Sequence, residues 1–458
     1  VTPATVVDGA VLVESGVITC VDSVQVCLAK PGASGATVIN TKGVIAPGLI
    51  DTHNHILFDI FDDDDWKPSQ TYQNHTEWPN EARYTAMLDV KQCLVNDSQG
   101  KPAWCAQTPY GTSAGSLRCE VDKWGELKGL IAGTTSIVGL PGTSSACFGS
   151  LTRSIDVSQN GLGTDKVQTS ALFPPSSPSG VCTNYGDGST DAFIMHAGEG
   201  LDQKSLDEFD KVRTMTTPEG CLYAPQTTIT HGTAFTSAEF AIMAQNNMRL
   251  VWSARSNVSL YGQTTNIPAA LDAGVMVSIA PDWSMGGSQN MLDELTFAKK
   301  WSDSHFNGRL SAKDVFTMAT ANGATTIGLG NKVGTLKKGY LADLFIVGGD
   351  RKAPYDTIVA ATPKNVRLTM VGGKVLYGDT SLKPLAAFGT ACENFDACGE
   401  AKFLCVADPS KTNDKLNQSY AEIKTVLEAA MTDMDSVRPV GVGGNFAPLA
   451  PTVACKAK

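Results

Sequence analysis

Four of the six histidines lie where a run of apolar residues gives way to polar ones. His53 and His55 follow the apolar run 47–50, His196 closes the run 193–195, and His231 closes the run 228–230. Asp282 follows the apolar stretch 275–280 in the same way. A lone histidine at such a place is usually a structural residue, but four at equivalent places are difficult to explain that way. Three imidazoles and one carboxylate suit zinc or iron(II) and leave a coordination position for water.

The spacing of His53 and His55 adds a geometric expectation. On a β-strand, residues two apart point to the same face and lie about 6.5–7 Å from each other. If this segment is a strand, both imidazoles can reach one ion, although two polar strand residues without a metal are the alternative. Enzymes built on parallel barrels place their catalytic residues at the carboxyl ends of such strands.

Other residues near these positions are weaker candidates for binding a substrate. Trp66 lies in the loop after the first apolar run, Trp283 directly follows Asp282, and Arg153 lies farther along the chain. Trp283 could stack on a cyclic substrate, or it could simply pack in the core. Arg153 could meet a substrate carboxylate or carbonyl, or it could form a structural salt bridge. His75 and His305 have no strand-end context and are predicted to be surface or packing residues.

The elements that position these residues follow a strand–helix rhythm. Apolar strand-like runs occur at 134–138, 167–172, 192–195, 227–230, 250–253 and 275–280, and helix-like segments at 81–94, 205–214, 237–246 and 312–327. A rhythm of this length predicts an α/β protein with a (β/α) barrel. Short strands with glycine turns precede and follow it, including a hairpin around Glu14-Ser15-Gly16. A helix is predicted over 413–434.

These patterns divide the chain into four segments. Residues 1–46 and 331–389 are predicted to be two parts of one small β-domain, residues 47–330 the barrel, and residues 390–458 a C-terminal extension that contains cysteines.

Composition limits the partners and the compartment. The net charge of −10 argues against nucleic acid or an anionic membrane as partner, because both require a basic surface. The sequence contains no run of 18 apolar residues, so no membrane span is predicted. The twelve cysteines include no C-x-x-C pair. Their number and loop-rich surroundings predict disulfides in a secreted or periplasmic protein, the alternative being free thiols in a reducing cell.

Several motifs together resemble the amidohydrolase superfamily over about residues 5–385. They are Pro47-Gly48-Leu49-Ile50-Asp51-Thr52-His53-Asn54-His55, His196-x-x-Glu199, His231-Gly232, Asp282, Arg255-Ser256-Asn257-Val258-Ser259-Leu260, and the later segment 333–344. Their order is similar to the branch that holds triazine chlorohydrolases, cytosine deaminase and guanine deaminase. The resemblance implies a distorted (β/α)8 TIM barrel and a β-sandwich built from both chain ends.

The resemblance also implies roles for the residues. His53, His55, His196 and Asp282 would bind one divalent metal ion, with zinc favoured over iron(II). His231 would lie near the reacting centre, and Glu199 would shuttle protons. The candidate fourth barrel strand, residues 167–173, carries at its end neither the Lys nor the Glu that would bridge two metals. This absence favours a single ion. Asp282, Glu199 and His231 are thus the predicted catalytic residues.

The predicted function is metal-dependent hydrolysis of a small molecule, in which a metal-bound hydroxide attacks an sp2 carbon. Deamination, or hydrolysis of another C–N bond in a cyclic or heteroaromatic compound, is the first hypothesis. Hydrolysis of an exocyclic amide, carbamate or C–halogen bond is the second, and a metal-binding protein without turnover is the third. A homo-oligomer is compatible with the sequence.

Overall fold

The computed structural model describes residue 5 and residues 8–97, 100–139, 151–156, 166–411, 417–439 and 443–455. Its strands are β1 (Gly9–Glu14), β2 (Val17–Ser23), β3 (Val44–Pro47), β4 (Leu49–Asp51), β5 (Thr134–Ile137), β6 (Arg153–Ser154), β7 (Val167–Ser170), β8 (Ala192–Ala197), β9 (Thr227–His231), β10 (Arg249–Trp252), β11 (Met276–Ile279), β12 (Leu344–Val347), β13 (Val366–Val371), β14 (Lys374–Asp379), β15 (Glu393–Ala397) and β16 (Glu400–Leu404).

Its α-helices are α1 (Val24–Leu28), α2 (Ala82–Leu94), α3 (Arg118–Leu130), α4 (Pro178–Asp187), α5 (Gln203–Thr214), α6 (Ser237–Gln245), α7 (Ala254–Tyr261), α8 (Ile267–Ala273), α9 (Met291–His305), α10 (Ala312–Thr317), α11 (Gly323–Thr326), α12 (Pro354–Val359) and α13 (Tyr420–Val437).

Strands β4 to β11 form the parallel part of the fold, a distorted (β/α)8 barrel as predicted. They pair in two groups, β4-β5-β6 and β7-β8-β9-β10-β11. A parallel bridge between Asn54 and Asp282 joins the ends of the first and last of these strands. Every residue of β8 is buried, which is why this strand is a continuous apolar run: helices and barrel core cover both its faces.

A six-stranded sheet, β15-β16-β14-β13-β12-β3, packs beside the barrel. Its edge strand β3 comes from the N-terminal part of the chain and pairs antiparallel with β12, Ala46 opposite Phe345. The predicted hairpin forms β1 and β2. Both chain ends therefore contribute to the β-structure, as the sequence indicated. The same sheet continues into β15 and β16, beyond residue 389, and the predicted segment boundaries remain predictions.

Two predicted helices are present with different details, and one strand prediction was wrong. The C-terminal helix begins at Tyr420, where Ser419 and Glu422 form a capping box, and residues 413–416 of the range predicted for it lie outside the described residues. The helix predicted over 312–327 includes a π-helical turn at Met318–Asn322. The strand before His53 ends at Asp51, so neither His53 nor His55 lies on it.

Disulfides stabilise several loops within the described part of the chain. They join Cys20 to Cys27, Cys93 to Cys105, Cys182 to Cys221, Cys392 to Cys405, and Cys398 to Cys455. The predicted disulfides are therefore present in the structure, and export of the protein stays a prediction. In the described ranges, no helix has both the length and the apolar character needed to cross a bilayer.

Candidate metal centre and active site

The turn after β4 brings His53 and His55 beside Asp282. The Asp51 carboxylate accepts hydrogen bonds from the backbone N–H of His53 and from the Asn54 side chain, which ends the strand. The His55 N–H then donates to the Asp282 carbonyl, and the Asp282 N–H to the His53 carbonyl. The centroids of the two rings lie 4.9 Å apart.

Strands β8 and β9 deliver His196 and His231 to the same place. The strands are parallel neighbours, with Ala197 opposite His231, so their carboxyl ends meet at one edge. The backbone of His231 has φ 71° and that of Asp282 φ 73°, in the left-handed region. Such conformations are costly for non-glycine residues and concentrate at functional sites.

The five side chains converge closely enough to hold an ion. Two overlapping donor groups share His53: one adds His196 and His231, the other His55 and Asp282, with ligand atoms within 4.8 Å of one another in each group. His53 Nε2 lies 3.0 Å and His55 Nε2 3.4 Å from Asp282 Oδ1. The ring of His196 lies 4.6 Å from that of His53.

Hydrogen bonds outside the cluster orient two of the rings. His196 Nδ1 donates to the Ser170 carbonyl at 3.0 Å. His231 Nδ1 donates to Asn257 Oδ1 at 2.9 Å, and the Asn257 amide nitrogen donates to Thr265, which fixes the orientation of the amide. With Nδ1 protonated, Nε2 of each ring carries the free lone pair that a metal or substrate needs.

The charge states in the cluster suit a cation. Burial lowers the pKa of His55 to about 3 and the pKa of His196 well below its ordinary value. Burial by itself raises the pKa of Asp282, but the hydrogen bond from His53 and the adjacent imidazoles bring it below its ordinary value. Neutral imidazoles around an ionised carboxylate are the donor set that zinc prefers, so these residues fit one divalent ion.

Glu199 lies beside His231 and is held on several sides. Its Oε1 accepts a hydrogen bond from the Tyr261 hydroxyl at 2.8 Å, and its Oε2 lies 3.8 Å from His231 Nε2. Its backbone carbonyl accepts the His75 N–H at 3.1 Å. The side chain is buried, so the carboxylate can exchange a proton with a bound molecule in a place sheltered from solvent.

The three candidate substrate-binding residues lie in two different parts of the structure. Trp283 and Trp66 are buried and pack together, and the Trp283 ring lies 5.6 Å from the ring of His55. Arg153 instead forms a buried ion pair with Asp343, with Nε 2.6 Å from Oδ2. These contacts favour a structural role for Arg153. Substrate binding by Trp66 and Trp283 stays a prediction.

Sequence reasoning gave no role to Asn257 or Tyr261. Both lie on α7 at positions four residues apart, so one face of this helix presents Asn257 to His231 and Tyr261 to Glu199. Asn257 lies within the motif 255–260 and Tyr261 directly follows it, so their spacing was a signal for a shared face. Their partners depend on the packing of α7 against two other strand ends, which no local pattern reveals.

Histidines and a carboxylate at the ends of barrel strands are typical of metal-dependent hydrolytic enzymes. The sequence model described as "Amidohydrolase family" matches residues 189–376. The chain is similar to the amidohydrolase family over this region, and the resemblance inferred from its motifs is confirmed.

The curated relatives and the solved structures agree with the similarity to amidohydrolases. The chain is 25% identical to a 5-methylthioadenosine/S-adenosylhomocysteine deaminase of Thermococcus onnurineus, over 76% of this chain and 86% of that protein. It is 26% identical to a 5'-deoxyadenosine deaminase of Methanosarcina mazei, over 81% and 88%.

Among solved structures, a zinc-bound adenosine deaminase from Xanthomonas campestris is similar with a TM-score of 0.58 and 15% identity, covering 94% of this chain and 95% of that one. A guanine deaminase from E. coli is similar with a TM-score of 0.53 and 16% identity, covering 81% and 93%. At these identities the structures support the barrel fold itself.

Proposed function

We propose that this enzyme is a mononuclear metal-dependent deaminase of amino-substituted heteroaromatic compounds, with adenine nucleosides as its substrate class. The observation that carries the proposal is the position of Glu199: one carboxylate oxygen is 3.8 Å from His231 Nε2, beside the donor cluster. A proton donor and an imidazole are thus placed together where water would attack an aromatic carbon that bears an amino group.

His53, His55, His196 and Asp282 would hold the ion, for which we propose zinc, with iron(II) as the alternative. A divalent ion in such a site lowers the pKa of a bound water from 15.7 toward roughly 7.

The side chains then divide the proton transfers. The Asp282 carboxylate accepts one proton of the attacking water, and His231 Nε2, whose lone pair is free, accepts a hydrogen bond from that water and directs its oxygen at the reacting carbon. Glu199, protonated at the start, delivers its proton to the ring nitrogen. Asp282 then passes the water proton to the leaving amino group, and Glu199 regains a proton from the hydroxyl that becomes the carbonyl. Overall, water and the amine give a carbonyl compound and ammonia.

The curated relatives support the adenine nucleoside class, because those two are described as deaminases of 5-methylthioadenosine, S-adenosylhomocysteine and 5'-deoxyadenosine. The aromatic side chains on the side of His55 are compatible with a flat heterocycle, since Trp283 lies beside His55 and Trp66 packs against Trp283.

The test is ammonia release by the zinc-loaded protein from adenosine, 5'-deoxyadenosine, 5'-methylthioadenosine, S-adenosylhomocysteine, guanine and cytosine. Protein stripped of metal with a chelator is the control. We expect ammonia from at least one adenine nucleoside and none without metal. Ammonia from the free bases alone would overturn the substrate class. Ammonia from none of them, with chloride released from a chlorotriazine, would replace deamination by C–halogen hydrolysis.

A further inference from the structure

A continuous hydrogen-bonded chain runs from the loop after β4 to the carboxylate of Glu199. Trp78 Nε1 donates to the Tyr261 hydroxyl oxygen at 3.1 Å, and the Tyr261 hydroxyl lies 2.8 Å from Glu199 Oε1. All three side chains are buried, and Tyr261 is only 2% exposed. Solvent therefore does not compete for these bonds.

The chemistry of the three groups fixes the direction of the chain. An indole N–H can only donate, and a carboxylate can only accept. The Trp78 N–H occupies a lone pair of the Tyr261 oxygen, so the single Tyr261 proton is left for Glu199 Oε1. A hydrogen bond to a carboxylate is among the stronger kinds in a protein.

The consequence concerns which oxygen of Glu199 faces the reacting centre. Tyr261 holds Oε1, and Oε2 lies toward His231 Nε2 at 3.8 Å, too far for a hydrogen bond between them. Rotation of the carboxylate would break the bond to Tyr261. The oxygen that exchanges the proton is thus chosen by Tyr261 and not by His231.

The backbone of Glu199 is held by the same loop. The His75 N–H donates to the Glu199 carbonyl at 3.1 Å, and the Leu201 N–H donates to the Gln73 carbonyl at 2.7 Å. Trp78 follows three residues after His75, so this short segment restrains both the main chain and, through Tyr261, the side chain of Glu199.

We infer that Tyr261 is a positioning residue that sets the carboxylate of Glu199 for proton transfer, and that Trp78 fixes the hydroxyl of Tyr261. This rests on the proposed function, in which Glu199 carries protons. Tyr261 contributes by orientation, and its hydroxyl does not need to contact the substrate.

The test compares Tyr261→Phe with wild type in steady-state kinetics and by crystallography. The variant keeps the ring and removes the hydroxyl. We expect kcat to fall roughly 10- to 100-fold, the range for loss of one hydrogen bond to a charged group. KM should change less than about threefold, because the ring contacts remain. In the crystal structure, the Glu199 carboxylate should rotate from its position beside His231.

Two further variants separate positioning from general packing. Trp78→Phe should lower kcat in the same direction but less than Tyr261→Phe, because it leaves the bond to Glu199 in place. Tyr377→Phe is the matched control: Tyr377 is also buried and its hydroxyl bonds the Pro363 carbonyl, but it lies in the antiparallel sheet. It should leave kcat unchanged.

The inference is overturned if the carboxylate of Glu199 keeps its place in Tyr261→Phe, whatever happens to kcat. It is also overturned if the carboxylate moves and kcat does not fall, or if Tyr377→Phe lowers kcat as much as Tyr261→Phe. A wild-type protein with no turnover on the substrate panel would instead overturn the proposed function, and the crystal structure of the variant would still decide the positioning.

Discussion

The residues of the site divide into two sets with different demands. Metal ligands must present free lone pairs, and burial keeps His55 and His196 neutral, as that requires. Asp282 serves as both ligand and proton acceptor, but the group that protonates the substrate must be held without being consumed as a ligand. Glu199 belongs to neither of the two donor groups found among the described residues, and its partner Tyr261 is a neutral hydroxyl. Binding of the ion and transfer of the proton can therefore be separated by mutation.

Glu199→Gln should lower kcat for ammonia release by about 10²- to 10⁴-fold, the usual contribution of a general acid or base. The amide preserves the shape of the side chain and can still accept the Tyr261 hydrogen bond, so folding should not change. Metal content, measured by atomic absorption, should equal that of wild type. Full activity in this variant, or loss of its metal, would contradict the assignment of Glu199.

Much of this site was predictable from residue types and strand ends alone. His53, His55, His196, His231, Asp282 and Glu199 do converge. The strand geometry proposed for the first two was wrong, because Asp51 accepts hydrogen bonds from the turn that follows it and ends the strand early. The role of Arg153 could not be predicted from the sequence, since its partner Asp343 lies 190 residues away in the chain.

At the scale of elements, the loop after β4 is attached to α5 and to the residues just before it. His75 Nε2 lies 2.8 Å from Glu208 Oε1, and the other oxygen of Glu208 accepts the Gly198 N–H at 2.8 Å. Asn74 donates to Asp202, and a bridge joins Asn74 to Gly200. The loop that restrains Glu199 therefore depends on an ion pair that involves a histidine.

This ion pair predicts a pH-dependent contribution to stability. The hydrogen bond to Glu208 raises the pKa of His75 above its ordinary value, despite partial burial. A raised pKa in the folded state means that the stabilisation is complete below the unfolded value of about 6.5 and is lost as the pH rises through the folded value.

We expect His75→Gln to reduce the free energy of unfolding by about 0.5–1.5 kcal/mol near pH 5.5, and by less near pH 9. Thermal unfolding of both proteins at the two pH values measures this. His305→Gln, which removes an exposed histidine at the end of α9, is the control for loss of a histidine. A larger difference between wild type and His75→Gln at the alkaline pH would contradict the ion pair.

The elements themselves were mostly visible in the sequence, and their ends were not. Apolar runs located the strands to within a few residues, because strands buried on both faces leave a clear signal. The start of α13 depends on one pair, Ser419 and Glu422, whose capping signal is easily passed over inside a longer helical pattern. The π-helical turn has no local signature.

At the scale of the whole molecule, chain order and spatial order differ in ways that set the site. The first and last barrel strands meet at Asn54 and Asp282, which brings together ligands more than 220 residues apart in the chain. Pairing of β3 with β12 fixes the start of β4, since only Gly48 separates β3 from β4.

The strand–helix rhythm predicted this architecture, but not its details. A parallel barrel follows from alternating elements, because few arrangements bury their apolar faces. The continuation of the antiparallel sheet into β15 and β16 could not be predicted, since edge-strand pairing depends on loops whose course is not encoded in periodicity. Homo-oligomer formation and export remain predictions.

We propose that His53, His55, His196 and Asp282 hold a single ion and that His231 is left to the reacting molecule. The most direct test is metal stoichiometry by inductively coupled plasma mass spectrometry after loading with zinc, on wild type, His196→Ala and His231→Ala. The two variants remove the same side chain from neighbouring strands, so each controls for the other.

We predict about one ion per chain in wild type and in His231→Ala, and a small fraction of one in His196→Ala. Two ions in wild type, retention of the ion by His196→Ala, or its loss from His231→Ala would contradict this ligand set.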